Sequence, residues 1–174
     1  VDTEAKIQAA NEGNVIGLTL AGAVSKTSNK QQAKEAQGGN GAYGIGISGD
    51  VVYSNIDTQA LAYANNVAYA GNEDVSFSAW DDHSIYNVAG SLGIGMGGQS
   101  VSTGIAGAVT EAAISNDTTA EILNSSFDNV GNIGLEANSF YDVFAAAAAG
   151  SGATSQGVSV VEAGSVSVHK FVNK

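Results

Sequence analysis

The chain has 174 residues, with 17 acidic side chains against six lysines, no arginine and a formal net charge of −11. Because phosphate recognition needs cations, this balance argues against nucleic acid and anionic membranes as partners. The absence of cysteine excludes a disulfide framework and thiol chemistry.

A Gly-Asn pair recurs along the chain at an almost fixed interval. Its glycines are Gly13, Gly71 and Gly131, so their residue numbers differ by 71 − 13 = 58 and by 131 − 71 = 60. Each pair follows an alanine-rich or Ala-x-Ile segment and precedes an alternating apolar stretch. These stretches are Ile16, Leu18, Leu20, then Val75, Phe77, Ala79, then Ile133, Leu135, Ala137. Glycine-opened runs follow, as in 49–55 and 107–116, and the third ends in 166–174. Such a period predicts a repeat architecture in which each unit stacks on the next.

The apolar runs predict strands. They are short, alternate with period two and are bounded by Gly, Asn, Asp and Ser. Proline is absent, which suits a solenoid whose interior rungs all need their backbone N–H. We therefore predict an all-β fold, a right-handed parallel β-helix of three sequence repeats whose period in residue number is about 58 to 60. Residues 1–174 are expected to be a single β-solenoid segment excised from a longer array, with three coils of about 20 residues per repeat or, alternatively, two wider ones.

Two stretches depart from the strand-like composition. Asn29–Gln37 consists of helix formers followed by Gly38 and Gly39, and it predicts a lateral helical turn or an irregular coil. Phe144–Ala149 places five alanines behind a phenylalanine and predicts an inward-facing alanine stack. Both align with Ile85–Ala89 in the repeat, so the slot is expected to be structural in all three copies.

Two segments match the G-x-G-x-x-G dinucleotide fingerprint, Gly44–Gly49 and Gly93–Gly98. The fingerprint requires a following helix whose N-terminus receives the pyrophosphate. The first match instead leads into the strand-like run Asp50–Tyr53. Repeat-unit glycines explain the matches better, and the sequence predicts no cofactor.

Three further motifs give no strong indication of a binding or modification site. Gly38–Tyr43 departs from the calcium-binding nonapeptide because tyrosine stands where the carboxylate is needed, while incidental calcium at acidic pairs such as 73–74 or 81–82 stays open. Asn116 and Asn124 begin N-glycosylation sequons, whose residue types are equally typical of strand-bounding turns.

The segment Asp81-Asp82-His83 brings acid, base and metal-ligand side chains together. We interpret it as a solvated loop after the strand Val75–Trp80, because neighbouring side chains on an extended chain point to opposite sides. His169 lies in an alternating run and is expected to face outward. The sequence thus predicts no catalytic and no metal-binding residue.

The segments Ser115–Ile122 and Gly131–Ala137 resemble the repeats of leukotoxin-type filamentous adhesins, large exoproteins of Gram-negative bacteria related in architecture to filamentous haemagglutinin. The resemblance implies a β-helix passenger, secretion by a two-partner or autotransporter route, a secreted or cell-surface location, and a role in adhesion or host-cell toxicity. A host-cell receptor or glycan would then be a partner of the parent protein.

Two alternatives belong to other classes. A carbohydrate-active β-helix is disfavoured because such sites need cations, and the lysines lie only near the two ends of the chain. A self-associating surface-layer segment is the other, and uncapped solenoid ends predict end-to-end self-association.

Overall fold

The structure, a computed structural model, describes residues 4–26, 43–98 and 101–173. Eight strands and no helix occupy these residues. They are β1 (Glu4–Lys26), β2 (Tyr43–Asn65), β3 (Ala68–Ala70), β4 (Asp74–Met96), β5 (Val101–Leu123), β6 (Ser126–Asp128), β7 (Ile133–Thr154) and β8 (Val158–Asn173). Within these ranges nothing helical is long and apolar enough to cross a bilayer. The predicted helical turn at Asn29–Gln37 lies outside the described residues.

The strands form three parallel sheets, each made of equivalent strands from successive coils. Sheet A has the order β1-β4-β7, sheet B the order β2-β5-β8, and a short third sheet pairs β3 with β6. Coil 1 therefore consists of β1, β2 and β3, coil 2 of β4, β5 and β6, and coil 3 of β7 and β8. This stacking of parallel strands confirms the predicted all-β parallel β-helix.

Each sequence repeat makes one wide coil. Tyr43 pairs with Val101 and Val75 with Ile133, so the residue numbers of the partners differ by 101 − 43 = 58 and by 133 − 75 = 58. The prediction of two or three coils per repeat was therefore wrong. A 23-residue strand spans about 76 Å at about 3.3 Å per residue, so the solenoid is a broad, flat body.

Coil 1 is longer than coil 2. Glu4 pairs with Asp74, so their residue numbers differ by 74 − 4 = 70 instead of 58, and the additional residues fall between β1 and β2. This insertion displaces the repeat alignment in the first copy. Gly13 is not the equivalent of Gly71, as the sequence suggested, but lies inside β1 opposite His83. The partner of Val75 is Ala5, and Ile16 pairs with Tyr86.

In coils 2 and 3 the predicted alignment of the apolar stretches is correct. Phe77 pairs with Leu135, and Gly107 pairs with both Gly49 and Gly164. Gly71 and Gly131 both lie at the corner before a long strand, where their N–H groups donate to the carbonyls of Asp128 and Glu73 at 3.1 and 3.0 Å. The segment Ile85–Ala89 pairs with residues 143–147 of coil 3 and with residues 15–19 of coil 1. The predicted alignment of this segment with Asn29–Gln37 was therefore wrong.

Glycines let the two long sheets touch where β4 turns into β5. A Cβ atom on Gly93 would lie 2.0 Å from the carbonyl oxygen of Ile105, and one on Gly46 would lie 2.2 Å from that of Ile94. None of the described glycines has a positive φ, so these positions require glycine for space and not for backbone conformation. The first dinucleotide-like match therefore lies within β2, and the second occupies the end of β4 and the two residues after it. Glycines such as Gly46 and Gly93 bring opposed backbones into contact there.

The interior widens toward the β3–β6 corner. Phe77 is 1 % exposed and packs with Ala60, Ala62, Ala64, Val75 and Ala79 in the largest apolar cluster. Its ring meets that of Phe127 edge-on at a centroid distance of 6.2 Å. Farther along, Ala145, Ala147 and Ala149 pack against the inner clusters, so the inward alanine stack predicted for Phe144–Ala149 is confirmed for these three residues. It was wrong for the alternate positions, since Phe144 is 52 % exposed and side chains alternate along a strand.

Candidate functional site

A cluster of polar side chains lies inside the solenoid, between sheets A and B. Asp81 and His83 of β4 are 0 and 3 % exposed. Because side chains alternate along a strand, residues two apart share a face. Asp82, between them, is exposed on the opposite face. The carboxylate of Asp81 and the imidazole of His83 thus lie side by side in the core.

The Asp81 carboxylate connects the two sheets. Its Oδ2 accepts hydrogen bonds from Thr58 Oγ1 of β2, at 2.9 Å, and from the side-chain amide of Asn116 of β5. Its Oδ1 lies 2.6 Å from Nε2 of His83, an ion-pair distance without hydrogen-bond alignment, and neither atom has another polar partner. His83 Nδ1 is 3.4 Å from the carbonyl oxygen of Gly13 in β1. The pair therefore contacts strands of two coils.

Asn116 extends the cluster toward coil 3. Its amide also donates to Thr118 Oγ1 at 2.7 Å and to Ser139 Oγ at 3.2 Å, and Ser139 donates to Thr118 at 2.9 Å. An amide nitrogen has two hydrogens, so the three acceptors share them. Asn116 is 1 % exposed, so the folded protein offers this amide to no glycosylating enzyme. The sequon at Asn116 lies within a strand and not in a turn.

Tyr141 of β7 is in register with His83 and lies above the cluster. Burial raises the pKa of the Tyr141 phenol above its ordinary value of 10.0, the nearby Ser139 hydroxyl opposes the rise, and the charge of Asp81 adds to it. The neutral phenol is thus the form that the folded protein favours.

The cluster has the geometry of a structural polar layer. Ser139 Oγ bonds to Thr118 and accepts from Asn116, so it does not complete a serine–histidine–aspartate arrangement with the buried pair. A strand shifted by one residue would turn Asp81 and His83 outward and bury Asp82. Buried polar groups that bond across strands in this way favour one register over its neighbours.

The interpretation of Asp81-Asp82-His83 as a solvated loop was wrong, because β4 continues from Asp74 to Met96. The signal that could have revealed the pair is the spacing itself, since residues 81 and 83 share a face with the apolar positions 75, 77 and 79 once the strand is extended. His169 was also predicted incorrectly. It is in register with Ala112, which is 1 % exposed and faces inward, although the ring itself remains exposed in coil 3.

The other predicted positions occupy corners. Asn124 is an exposed turn residue with a φ of 46°. Glu73 accepts a hydrogen bond from the hydroxyl of Tyr69 at 2.5 Å, and Asp74 accepts one from the backbone N–H of Asn132 at 2.6 Å. The hydrogen bond to Glu73 raises the pKa of Tyr69. Across residues 4–26, 43–98 and 101–173, no three His, Asp or Glu side chains are grouped as metal ligands would be.

An apolar groove of about 530 Å³ opens at the outer edge of coil 1, and we call it the coil-1 groove. The aromatic rings of Tyr63, Tyr69, Phe77 and Phe127 line it together with Ile7. Ile7 belongs to the inward face of β1 but is 45 % exposed, because no strand covers β1 on this side among the described residues. Within the described residues, the groove is thus the edge of the solenoid interior at coil 1.

The outward side of sheet A has two unlike halves. Over residues 16–26, 86–96 and 144–154, Lys26 is the one outward-facing charged side chain, and Ile16, Leu18 and Leu20 are 78, 74 and 86 % exposed. Over residues 4–14, 74–84 and 134–142 the outward positions carry most of the charges of the sheet, including Glu12 and Glu136. We call these the apolar half and the acidic half of sheet A.

The chain matches no protein-family model, no curated protein and no solved structure. The resemblance to filamentous adhesins therefore stays a prediction, and the functional argument depends on the fold and surfaces of the chain itself.

Proposed function

We propose that this chain is a structural and interaction segment of a secreted bacterial filamentous adhesin or leukotoxin, in which it supplies broad, flat faces to the extracellular solenoid. The observation that carries the proposal is the in-register stacking of whole coils. The same difference of 58 in residue number separates paired residues of coils 1 and 2 in sheet B and of coils 2 and 3 in sheet A. Segments of this kind are extended by adding coils.

The width of the coil supports a role in presenting a broad surface more than a role in lengthening the extracellular protein. Each coil, one full repeat in length, advances the stack by one strand spacing, about 4.8 Å. A coil of about 20 residues would give nearly three times the length for the same chain. A three-stranded face of about 76 by 14 Å is instead large enough for a host-cell receptor or glycan to bind on it.

The interior supports a structural role as well. The acid–base pair of Asp81 and His83 is closed off from solvent and bonded within the core, so a polysaccharide cannot contact it. The proposal accordingly assigns the chain no catalytic activity and no cofactor. The acidic surface keeps copies of a long extracellular protein apart in solution.

The structural part of the proposal is tested by lengthening the solenoid. Tandem duplication of residues 75–132 inserts one in-register coil, since Val75 and Ile133 are equivalent. We expect a folded protein with a higher Tm, because each added coil contributes a further interface. The matched control duplicates residues 85–132 and breaks the register. Equal Tm values for the two duplications would contradict the proposal.

The location is tested on bacteria that carry the gene. An antibody against the chain is expected to label intact cells or the culture medium, and protease treatment of intact cells should remove the cell-bound signal. A signal confined to the cytoplasmic fraction would overturn the assignment to a secreted adhesin.

A further inference from the structure

We infer that the buried polar cluster holds a structural metal ion, a divalent transition-metal cation bound by Asp81 Oδ1, His83 Nε2 and Asn116 Oδ1. These ligands lie on β4 and β5, the central strands of the two long sheets, which have neighbours on both sides. The ion would fasten sheet A to sheet B in the middle of the stack. The inference goes beyond the proposed function, because it concerns the core of the chain and neither its location nor its partners.

The first support is a group of buried polar atoms without hydrogen-bond partners. Asp81 Oδ1, His83 Nε2 and Asn116 Oδ1 are all of this kind, and their residues are 0, 3 and 1 % exposed. Solvent therefore does not satisfy them. Buried polar atoms are nearly always paired, and an unpaired one points to a bound ion or water.

The three atoms lie close together. Oδ1 of Asp81 is 2.6 Å from Nε2 of His83. The amide nitrogen of Asn116 contacts the other carboxylate oxygen of Asp81, and the two polar atoms of one amide are about 2.3 Å apart. Asn116 Oδ1 thus lies within about 5 Å of the Asp81 carboxylate. One bound species can therefore contact all three atoms.

The second support is the orientation of the His83 ring. Its Nδ1 faces the carbonyl oxygen of Gly13 at 3.4 Å. A carbonyl oxygen only accepts hydrogen bonds, so Nδ1 carries the hydrogen, and in the neutral imidazole Nε2 then carries the lone pair. Metal-binding histidines characteristically donate their other ring N–H to a backbone carbonyl or a carboxylate. His83 has this arrangement with Nε2 facing the cluster.

The third support is the contact between Asp81 and His83. The two atoms are close but not aligned for a hydrogen bond with each other. A lone pair on Nε2 and a carboxylate oxygen repel at this distance unless a positive charge lies beside both. Two ligands that bind one metal at about 2.1 Å and at a right angle are about 3.0 Å apart. An ion therefore requires this contact to widen by only about 0.4 Å.

The donor types select the class of ion. Imidazole nitrogen suits zinc and its neighbours in the first transition row, whereas Ca²⁺ takes about six to eight oxygens and Mg²⁺ keeps several waters. Three protein ligands with a water in the fourth position are a set that zinc accepts. The hydroxyl of Tyr141, another buried atom without a partner, belongs to the next coil and is near enough to feel the charge of Asp81. It would bond with that water.

The ligand set explains why acid and histidine spacing alone does not reveal the site. It contains one carboxylate and one imidazole, and its third donor is the amide oxygen of Asn116. Because a single ligand is anionic, we expect weaker binding than at a cysteine-rich structural site.

The test is uptake of Zn²⁺ by the whole, untagged chain as it folds. The chain is refolded from urea with Zn²⁺ or with a chelator, dialysed, and its metal content is measured. We expect one Zn²⁺ per chain. Zn²⁺ at about a hundred times its Kd should raise Tm by about 5 to 10 °C over the chelated protein, because the ion binds only the folded chain. Mg²⁺ in place of Zn²⁺ should leave Tm unchanged.

Two variants each remove one ligand. His83→Gln removes the imidazole and Asp81→Asn the carboxylate charge, and each should raise the Kd for Zn²⁺ by about a hundredfold. The matched control is His169→Gln, since His169 is the second of the two histidines of the chain and is exposed. This variant should bind Zn²⁺ as the wild type does.

Nitrogen NMR of the histidine-labelled wild type keeps the inference testable if His83→Gln or Asp81→Asn does not fold. Zn²⁺ should shift the Nε2 resonance of His83 and leave the resonances of His169 unchanged, and His169→Gln identifies which signals belong to which ring.

Three results would overturn the inference: a refolded wild type without Zn²⁺, an unchanged His83 resonance in the presence of Zn²⁺, or binding that is lost in His169→Gln. The first two would leave a buried water as the species that pairs with the three atoms. None of these results affects the 75–132 duplication, so the proposed function stands or falls separately.

Discussion

Replacing Gly93 by alanine should separate the two sheets where their backbones touch. The new Cβ would lie 2.0 Å from the carbonyl oxygen of Ile105 and 3.0 Å from that of Gly46. A carbon and a carbonyl oxygen approach to about 3.3 Å, so one backbone must move by about 1.3 Å. Gly93 lies on the central strand of sheet A, with neighbours on both sides, and such a shift opens gaps along both sheets. Overpacking of this kind costs about 3 kcal/mol in the free energy of unfolding.

The matched control is Gly107→Ala on the central strand of sheet B, where a Cβ would meet nothing within 4 Å. Here the substitution should be neutral or stabilise by about 0.4 to 1 kcal/mol, because alanine restricts the unfolded chain. Urea unfolding followed by circular dichroism gives both free energies, provided that the m-values agree. Equal effects at the two glycines would refute the argument that Gly93 is required for backbone contact.

Three further predictions concern the interior. Asp81→Ala should cost about 3 to 5 kcal/mol of unfolding free energy, because it removes the buried acceptor of Thr58 and Asn116 and the carboxylate that lies beside His83 Nε2, whereas Asp82→Ala should stay within about 0.5 kcal/mol in the same urea titration. Phe77→Ala should cost about 3 to 5 kcal/mol, and Leu135→Ala, whose side chain is 50 % exposed, should cost about 1 kcal/mol; a reversed order would contradict the burial of Phe77 and the partial exposure of Leu135. Because the pKa of Tyr141 is raised on folding, the unfolded chain loses this proton first, so stability should fall as pH rises above about 10. Tyr141→Phe should reduce that fall, and an unchanged slope would contradict it.

The strands of coils 2 and 3 were predictable because the alternation of apolar residues and the repeat period in residue number give the same alignment. Val75 and Phe77 align with Ile133 and Leu135 in both the sequence and the structure. Coil 1 was not predictable to the same degree, because an insertion between β1 and β2 shifts its register relative to the other coils. Gly13 was therefore taken for the equivalent of Gly71, although it lies inside β1.

The number of coils per repeat could not be read from the period. Turn-forming residue types also occur inside the long strands, as Gly13, Gly49 and Asn87 do. Asn87 is buried and accepts a hydrogen bond from Ser54 Oγ at 2.7 Å across the two sheets. Composition does not distinguish such an interior amide from one in a turn. Polar residue types were likewise taken as the end of a strand at Trp80. Asp81 and His83 were therefore assigned to a loop, and their inward orientation was missed.

The central claim, that each repeat forms one wide coil, is tested most directly by a distance along β4. The chain has no cysteine, so Ser76→Cys and Met96→Cys introduce two unique sites for spin labels, both on the outward face of sheet A. Twenty residues of extended strand separate them, and pulsed electron spin resonance should give a distance of about 65 Å. Coils of about 20 residues would instead stack the two sites on neighbouring strands, about 4.8 Å apart. A distance below about 20 Å would contradict the wide coil.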